Sequence, residues 1–231
     1  MSRTPLVLLP GLLCDERLWR DQARDLQDVA EPMIADLTRD DSVADMARRT
    51  LDLVPGRFAL AGLSMGGYVA FEILRQAPER VTHLALFDTS AAPDDAARVA
   101  QRRAGIESLK VGRFVGVTNR LLPRLIHPSR LSGPVGEELQ AMAARVGGEA
   151  FLRQQKAILG RPDSRPLLPR IAVPTLVAVG DSDGLTPPAE AEEIHRGIAG
   201  SRLHVLPACG HLPALELPHE TSGLLRAWLK G

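Results

Sequence analysis

Aromatic residues are scarce in this chain, at 3% of 231 residues, so its core has to be built from Leu, Val, Ile and Ala. Cysteine is scarcer still. Cys14 and Cys209 are too few for a disulfide framework, and their expected state is that of unpaired thiols packed as small hydrophobes. No sign of charge dominates: 28 basic residues balance 28 acidic ones, which removes the electrostatic footprint of a nucleic-acid binder. Long apolar runs are missing too. Nothing approaches the ~20 residues of a membrane span, and the run at 6–9, closed by Pro10-Gly11, is too short for a secretory signal. Together these absences lead to the expectation of a cytoplasmic protein with neither a membrane nor a nucleic-acid partner, its oligomeric state left open.

What is present is an ordinary globular composition, 45% apolar and 24% charged, in a length that suits one buried core. Short apolar runs alternate with amphipathic stretches, the pattern of an α/β protein whose mostly parallel sheet has helices on both faces. Buried strands are expected at Leu6-Val7-Leu8-Leu9, Phe58-Ala59-Leu60-Ala61, Leu84-Ala85-Leu86-Phe87 and Thr175-Leu176-Val177-Ala178-Val179, with shorter ones at 32–35 and 203–206. Helices are expected over 21–29, 42–54, 68–76, 188–199 and 217–230, the second opened by a Ser42 cap and stopped by Pro55-Gly56. The stretch 94–165 has a different character. It shows no strand pattern, is interrupted by Gly133-Pro134 and Gly147-Gly148, and carries thirteen Lys or Arg against seven Asp or Glu. An insertion of that length between core strands reads as a helical cap over a site, leaving 1–93 and 166–231 as the core.

The chemistry is concentrated in three places. Gly62-Leu63-Ser64-Met65-Gly66 runs from an expected strand into an expected helix and fits the G-x-S-x-G elbow. Such a turn is so tight that a Cβ at either glycine would strike neighbouring backbone, and the helix start behind it turns unpaired N–H groups toward the serine. A serine hydroxyl needs a base to take its proton. Of six histidines, His211 alone stands just past the last strand, in Ala208-Cys209-Gly210-His211, at the strand end where catalytic groups gather in open α/β sheets. His83, His195, His204 and His219 sit in strand or polar helix surroundings, and His127 belongs to the insertion. The run Val179-Gly180-Asp181-Ser182-Asp183-Gly184 offers two carboxylates to orient the imidazole, Asp181 and Asp183. The order Ser64, Asp183, His211 is that of this elbow's usual partners. Oxyanion donors are expected from the backbone N–H groups of Met65, the residue after the nucleophile, and Leu12, in the turn after the first strand.

With these residues in place the chain resembles the α/β-hydrolase superfamily, and within it the small capped esterase-type members related to carboxylesterases, proline iminopeptidases and carbon–carbon bond hydrolases. The resemblance is carried by Leu8-Leu9-Pro10-Gly11, by residues 60–67, by Gly180-Asp181-Ser182-Asp183 with Pro187, and by Gly210-His211 with Glu216 and Pro218. It implies a triad acid three residues after the glycine, hence Asp183. Two departures are visible: Pro10-Gly11 stands where many relatives have His-Gly, and Asp36 to Ser42 replaces a longer glycine-bearing loop. The expected activity is hydrolysis of a carboxylic ester of a small or medium substrate through an acyl-enzyme on Ser64, with no metal or cofactor. Phe114, Leu122, Met142 and Phe151 are expected to line the pocket. Two alternatives share the fold: a thioesterase, carbon–carbon hydrolase or lyase whose anionic substrate is drawn by the basic cap, and a ligand-binding receptor without turnover.

Overall fold

A computed structural model of the chain describes residues 3–112 and 114–231. Its elements run β1 (Thr4–Leu9), α1 (Arg20–Asp25), β2 (Ala30–Ile34), α2 (Val43–Leu53), β3 (Phe58–Leu63), α3 (Met65–Gln76), β4 (Val81–Phe87), α4 (Ala96–Val111), α5 (Leu122–Leu125), α6 (Pro134–Leu159), β5 (Thr175–Gly180), α7 (Pro188–Gly197), β6 (Arg202–Leu206), α8 (Pro213–Glu216) and α9 (Pro218–Lys230). The six strands form one sheet in the order β2-β1-β3-β4-β5-β6, every pairing parallel. The chain leaves β1 outward to β2 and then returns to β3 on the other side. That reversal sets β1 beside β3, with Leu8 opposite Ala61 and Leu9 opposite Gly62. The turn after β1 and the elbow after β3 therefore emerge side by side, at the strand ends where ligands bind in such sheets.

Apolar residues fill β3 and β5 without alternation because helices cover both faces of the sheet, and all six residues of each strand are buried. One face packs on Met46, Phe71, Ile73 and Ile194 from α2, α3 and α7. The other packs on Leu18, Trp19, Leu225 and Trp228 from the α1 and α9 side. The few aromatics hold structural posts: Trp19 meets Phe87 edge-on at 5.7 Å, and its indole N–H donates to the Leu9 carbonyl at 3.1 Å. Helix ends follow local chemistry. The Ser42 hydroxyl accepts the Asp45 N–H at 3.0 Å, as its capping position predicts. The expected 21–29 helix ends at Asp25, since the chain then turns back through bonds from the Val29 and Ala30 N–H groups to Leu26 O. The helix expected from Tyr68 begins earlier, at Met65, taking the elbow glycines into its first turn.

The described residues between β4 and β5 supply α4, α5 and α6 and no strand. Gly133 precedes α6, and Gly147, at φ 76°, kinks it. Among the described residues no helix is long and apolar enough to cross a membrane.

Backbone approaches backbone very closely at the elbow. A Cβ on Gly66 would lie 2.2 Å from the Leu9 carbonyl oxygen, and one on Gly62 would lie 2.5 Å from the Gly66 oxygen. Gly223, on exposed α9 surface, has nothing within 4 Å of the same position. Gly66→Ala is expected to cost about 2–3 kcal/mol through overpacking against immovable backbone. Gly223→Ala should instead add about 0.5–1 kcal/mol through helix propensity. Thermal unfolding of the two variants measures both, and similar melting temperatures would contradict the packing argument.

Candidate active site

Ser64 is the hinge between β3 and α3 and adopts φ 55°, ψ −114°, a conformation that costs a non-glycine residue ~1–3 kcal/mol. Three bonds impose it. The Ser64 N–H donates to Phe87 O at 3.0 Å, while the Ser64 carbonyl accepts from the Gly67 N–H at 2.9 Å and the Thr89 hydroxyl at 2.8 Å. Met65 opens α3, so its N–H precedes the first intrahelical bond. Beside it, residues 11–14 form a turn closed by the Cys14 N–H on Gly11 O at 3.2 Å, with Leu13 at φ 59°. Gln154, reaching down from α6, accepts the Leu13 N–H at 3.1 Å and donates to Leu37 O at 3.1 Å. It thus ties the turn that holds Leu12 to the strand-end loop that stands in for the family's longer one.

Asp183 and His211 are bonded to each other, Nδ1 to Oδ2, at 2.8 Å. Asp183 also accepts from the Leu185 N–H at 2.7 Å, the Thr186 N–H at 3.1 Å and the Thr186 hydroxyl at 2.7 Å. Four donors fill its lone-pair positions. Burial would raise this carboxyl, but His211 and these donors hold it below the usual carboxylate range. An ionised Asp183 can only accept, so Nδ1 of His211 carries the proton and Nε2 is left as the acceptor. Asp181 does different work: it accepts the Ala208 N–H at 3.0 Å and the Cys209 N–H at 3.3 Å, closing the turn before His211.

Two acids that sequence reasoning did not place complete the cluster. Asp88, one residue past β4, is fully buried at φ 44° and accepts the Gly180 N–H at 2.9 Å. Burial first, and then the charge of Asp183, raise its carboxyl well above the ordinary value. Its only sequence signal is a polar residue ending an apolar strand. Glu216, quoted above only as part of the resemblance, accepts the N–H groups of Gly210 at 3.0 Å, Leu212 at 3.2 Å and His127 at 2.8 Å. It clamps the His211 loop to the segment after α5, and the Leu125 carbonyl at the end of that helix accepts the His211 N–H at 2.8 Å. By distance Asp88, Asp183 and His211 could share a cation, with ligand-type atoms within 4.8 Å of one another. The donors already on Asp183 account for the geometry without one. Both thiols are buried, and burial pushes Cys14 up to about 12 and Cys209 higher, so neither is a nucleophile at neutral pH.

A cavity of about 380 Å³ unites these parts, lined by Leu12, Ser64, Thr186 and His211 at its base. Of the four apolar residues expected to line the pocket only Phe151 does so. Leu122 and Met142 turn into the packed interior, where apolar side chains escape water more fully, and Phe114 faces a separate surface depression. The remaining wall is Leu13, Val117, Leu121, Leu139 and Ile158, and one end is polar: Tyr68, Arg98, Arg102 and Gln155. The other histidines stand apart from the cavity; His83 packs on Trp228 at 5.7 Å and His195 bonds Ser201 at 2.7 Å.

A family model described as alpha/beta hydrolase fold matches residues 9–218. Pimeloyl-[acyl-carrier protein] methyl ester esterases are similar in sequence. That of Neisseria meningitidis is 30% identical over 74% of this chain and 69% of its own length. That of Nitrosomonas europaea is 30% identical over 78% and 74%. Among solved structures, a thermophilic esterase from Thermogutta terrifontis superposes with a TM-score of 0.91 at 31% identity, covering 99% of this chain and 90% of its own. An enol-lactonase from Burkholderia xenovorans, at 22% identity and TM-score 0.84, shares the fold.

The Glu216 clamp makes a direct prediction. Glu216→Gln replaces one acceptor oxygen by an NH₂ facing backbone donors, which is expected to cost about 2 kcal/mol. That corresponds to a fall of roughly 4–8 °C in Tm for a chain of this size. An unchanged Tm in a thermal melt would contradict it.

Proposed function

The chain belongs to the α/β-hydrolase family and is a carboxylic ester hydrolase, and on that premise we propose that Ser64, His211 and Asp183 are its catalytic triad. The observation that carries this reading is the division of labour on His211: Nδ1 is held by Asp183, leaving Nε2 as acceptor in the cavity that Ser64 also lines. Nε2 takes the Ser64 proton as Oγ attacks the ester carbonyl. The N–H groups of Met65 and Leu12 receive the negative charge that develops on the carbonyl oxygen, already oriented before the reaction begins. His211 then hands the proton to the departing alcohol. Water, activated by the same nitrogen, releases the acid and restores Ser64. No step calls for a metal or a cofactor.

Residues 94–165 act as a cap, since α4, α5, α6 and the loop before α5 together supply more than half of the residues that line the cavity. The substrate is a small ester whose acyl chain lies along the apolar wall and ends in a polar group. Tyr68 supports the last point. Its ring is stacked under Arg161 at 4.2 Å, it is 6% exposed and lines the cavity, and its hydroxyl has no hydrogen-bond partner among the described residues. Esterases named for a methyl ester on a pimeloyl group are among the relatives, and a methyl or other short alkyl ester of such a chain fits this cavity. The two reduced thiols suit the cytoplasm.

Two measurements test the reading. Ser64→Ala should lose at least about 10³-fold in kcat on short-chain test esters and fail to react with a fluorophosphonate; retained hydrolysis would overturn the triad. Tyr68→Phe should lower kcat/KM about 5–10-fold for a methyl ester with a polar chain end, the worth of one hydrogen bond. A smaller loss is expected for the apolar-ended ester of equal length, and equal losses would remove Tyr68 from substrate recognition.

A further inference from the structure

Asp88 has no part in the mechanism just given, yet it lies inside the catalytic cluster. Its backbone N–H continues the sheet ladder to Ala178 O at 2.9 Å, so the residue is anchored by β5 at its main chain. One carboxyl oxygen accepts the Gly180 N–H; the other, Oδ2, is buried with no partner. An unpartnered buried carboxyl oxygen is a cost that packing normally removes. Here it is retained on a non-glycine residue in left-handed backbone, a second cost at the same position. A carboxylate oxygen of Asp88 lies within 4.8 Å of both an Asp183 oxygen and a His211 ring nitrogen. The groups facing Asp88 are Asp183, His211, Glu216 and Cys209, from the ends of β5 and β6 and from α8.

We propose that Asp88 is a second acid for His211, a positioning residue that stands in reserve beside Asp183 and can take over its bond to the imidazole. Adjacent strands β4 and β5 are each followed by an acid, Asp88 and Asp183, and both acids lie close to the same histidine. While Asp183 is ionised, Asp88 stays neutral, because two carboxylates so close and so buried do not both lose their protons. The neutral Asp88 carboxyl faces Asp183, whose oxygens already hold four other donors, so no donor is left to bond Oδ2. Remove the charge at 183 and the second cause of that neutrality goes, while burial, the larger, remains, so Asp88 ionises only as pH rises. Asp88 then releases its proton to solvent, and the His211 Nδ1–H has a carboxylate within a side-chain rotation.

This inference rests on the Ser64–His211–Asp183 reading, and its test keeps the two separate. The rate of Ser64 labelling by a fluorophosphonate and kcat/KM on a short methyl ester are measured for wild type, Asp88→Asn, Asp183→Asn, Asp183→Ala and the Asp88→Asn/Asp183→Asn double variant. Circular dichroism and Tm confirm that each is folded. Loss of the triad acid alone costs about 10⁴-fold where no second acid exists. Asp183→Asn or Asp183→Ala is expected to lose only about 10²-fold, with residual activity that climbs as pH rises and Asp88 ionises. The double variant should lose at least a further 30-fold and its pH rise. Asp88→Asn alone should lose a few-fold. The proposal is overturned if the double variant matches Asp183→Asn in rate and pH profile. It is also overturned if both single Asp183 variants lose the full 10⁴-fold, or if Asp88→Asn alone falls as far as they do. A Ser64→Ala variant that still hydrolyses the ester would sink the triad reading itself, a result distinct from all of these.

Discussion

The first turn of α3 is pressed against the end of β1 so closely that Gly66 has no room for a single carbon beyond its backbone. Much else depends on that contact. It makes the chain reverse from strand to helix within one residue, and Ser64 absorbs the reversal in its strained backbone. It also sets the start of α3 beside the turn at 11–14, so the two backbone N–H groups proposed as oxyanion donors come from elements packed on each other. Trp19 reinforces the same point from the opposite face by bonding the Leu9 carbonyl. The proposed nucleophile and donors are one rigid unit, the arrangement that lets polar groups act without reorganising during reaction.

The proposed base is held differently. His211 sits on a loop with no regular hydrogen-bonding of its own, and charged side chains supply what a ladder would have provided. Asp181 closes the turn before it, Glu216 gathers three N–H groups around it, and Asp183 fixes its ring. The inserted helices take part in both halves of the site. Gln154 of α6 holds the 11–14 turn, and the Leu125 carbonyl of α5 accepts the His211 N–H. The segment that covers the cavity is thus bonded to the machinery beneath it, and a displacement of one would disturb the other.

The basic excess of the insertion is largely spent within the protein. Arg145 pairs with Asp15 at 2.6 Å, Arg130 with Glu216 at 3.8 Å, Lys156 with Asp41 at 3.7 Å, and Arg98 with Glu190. Positive charge on the inserted segment and negative charge on the core are two sides of one seam. That pairing explains why halves of opposite charge make a neutral whole, and it weakens the case for the insertion as a general trap for anions.

Ser64, His211 and the order of strands and helices were legible in the sequence, because each is governed by local rules: apolar runs, glycine spacing, caps and chain order. Asp183 was narrowed to a pair by its place after β5 and preferred to Asp181 only through family resemblance; the bond to His211 needed the fold. Asp88, Gln154 and the three-fold grip of Glu216 were not legible. Each depends on a bond across a large gap in sequence, 92 residues for Asp88 and Gly180, 141 for Gln154 and Leu13, and 89 for Glu216 and His127. No local pattern signals such a pairing. The direction of apolar side chains in the insertion was equally hidden, since Leu122 and Phe151 look alike until packing decides which of them faces the cavity. By itself the sequence determined the chemistry available to the protein: one elbow serine, one strand-end histidine, two acids to choose from. Only the tertiary structure decided which groups meet, because burial and hydrogen-bond geometry are properties of segments brought together and belong to none of them alone.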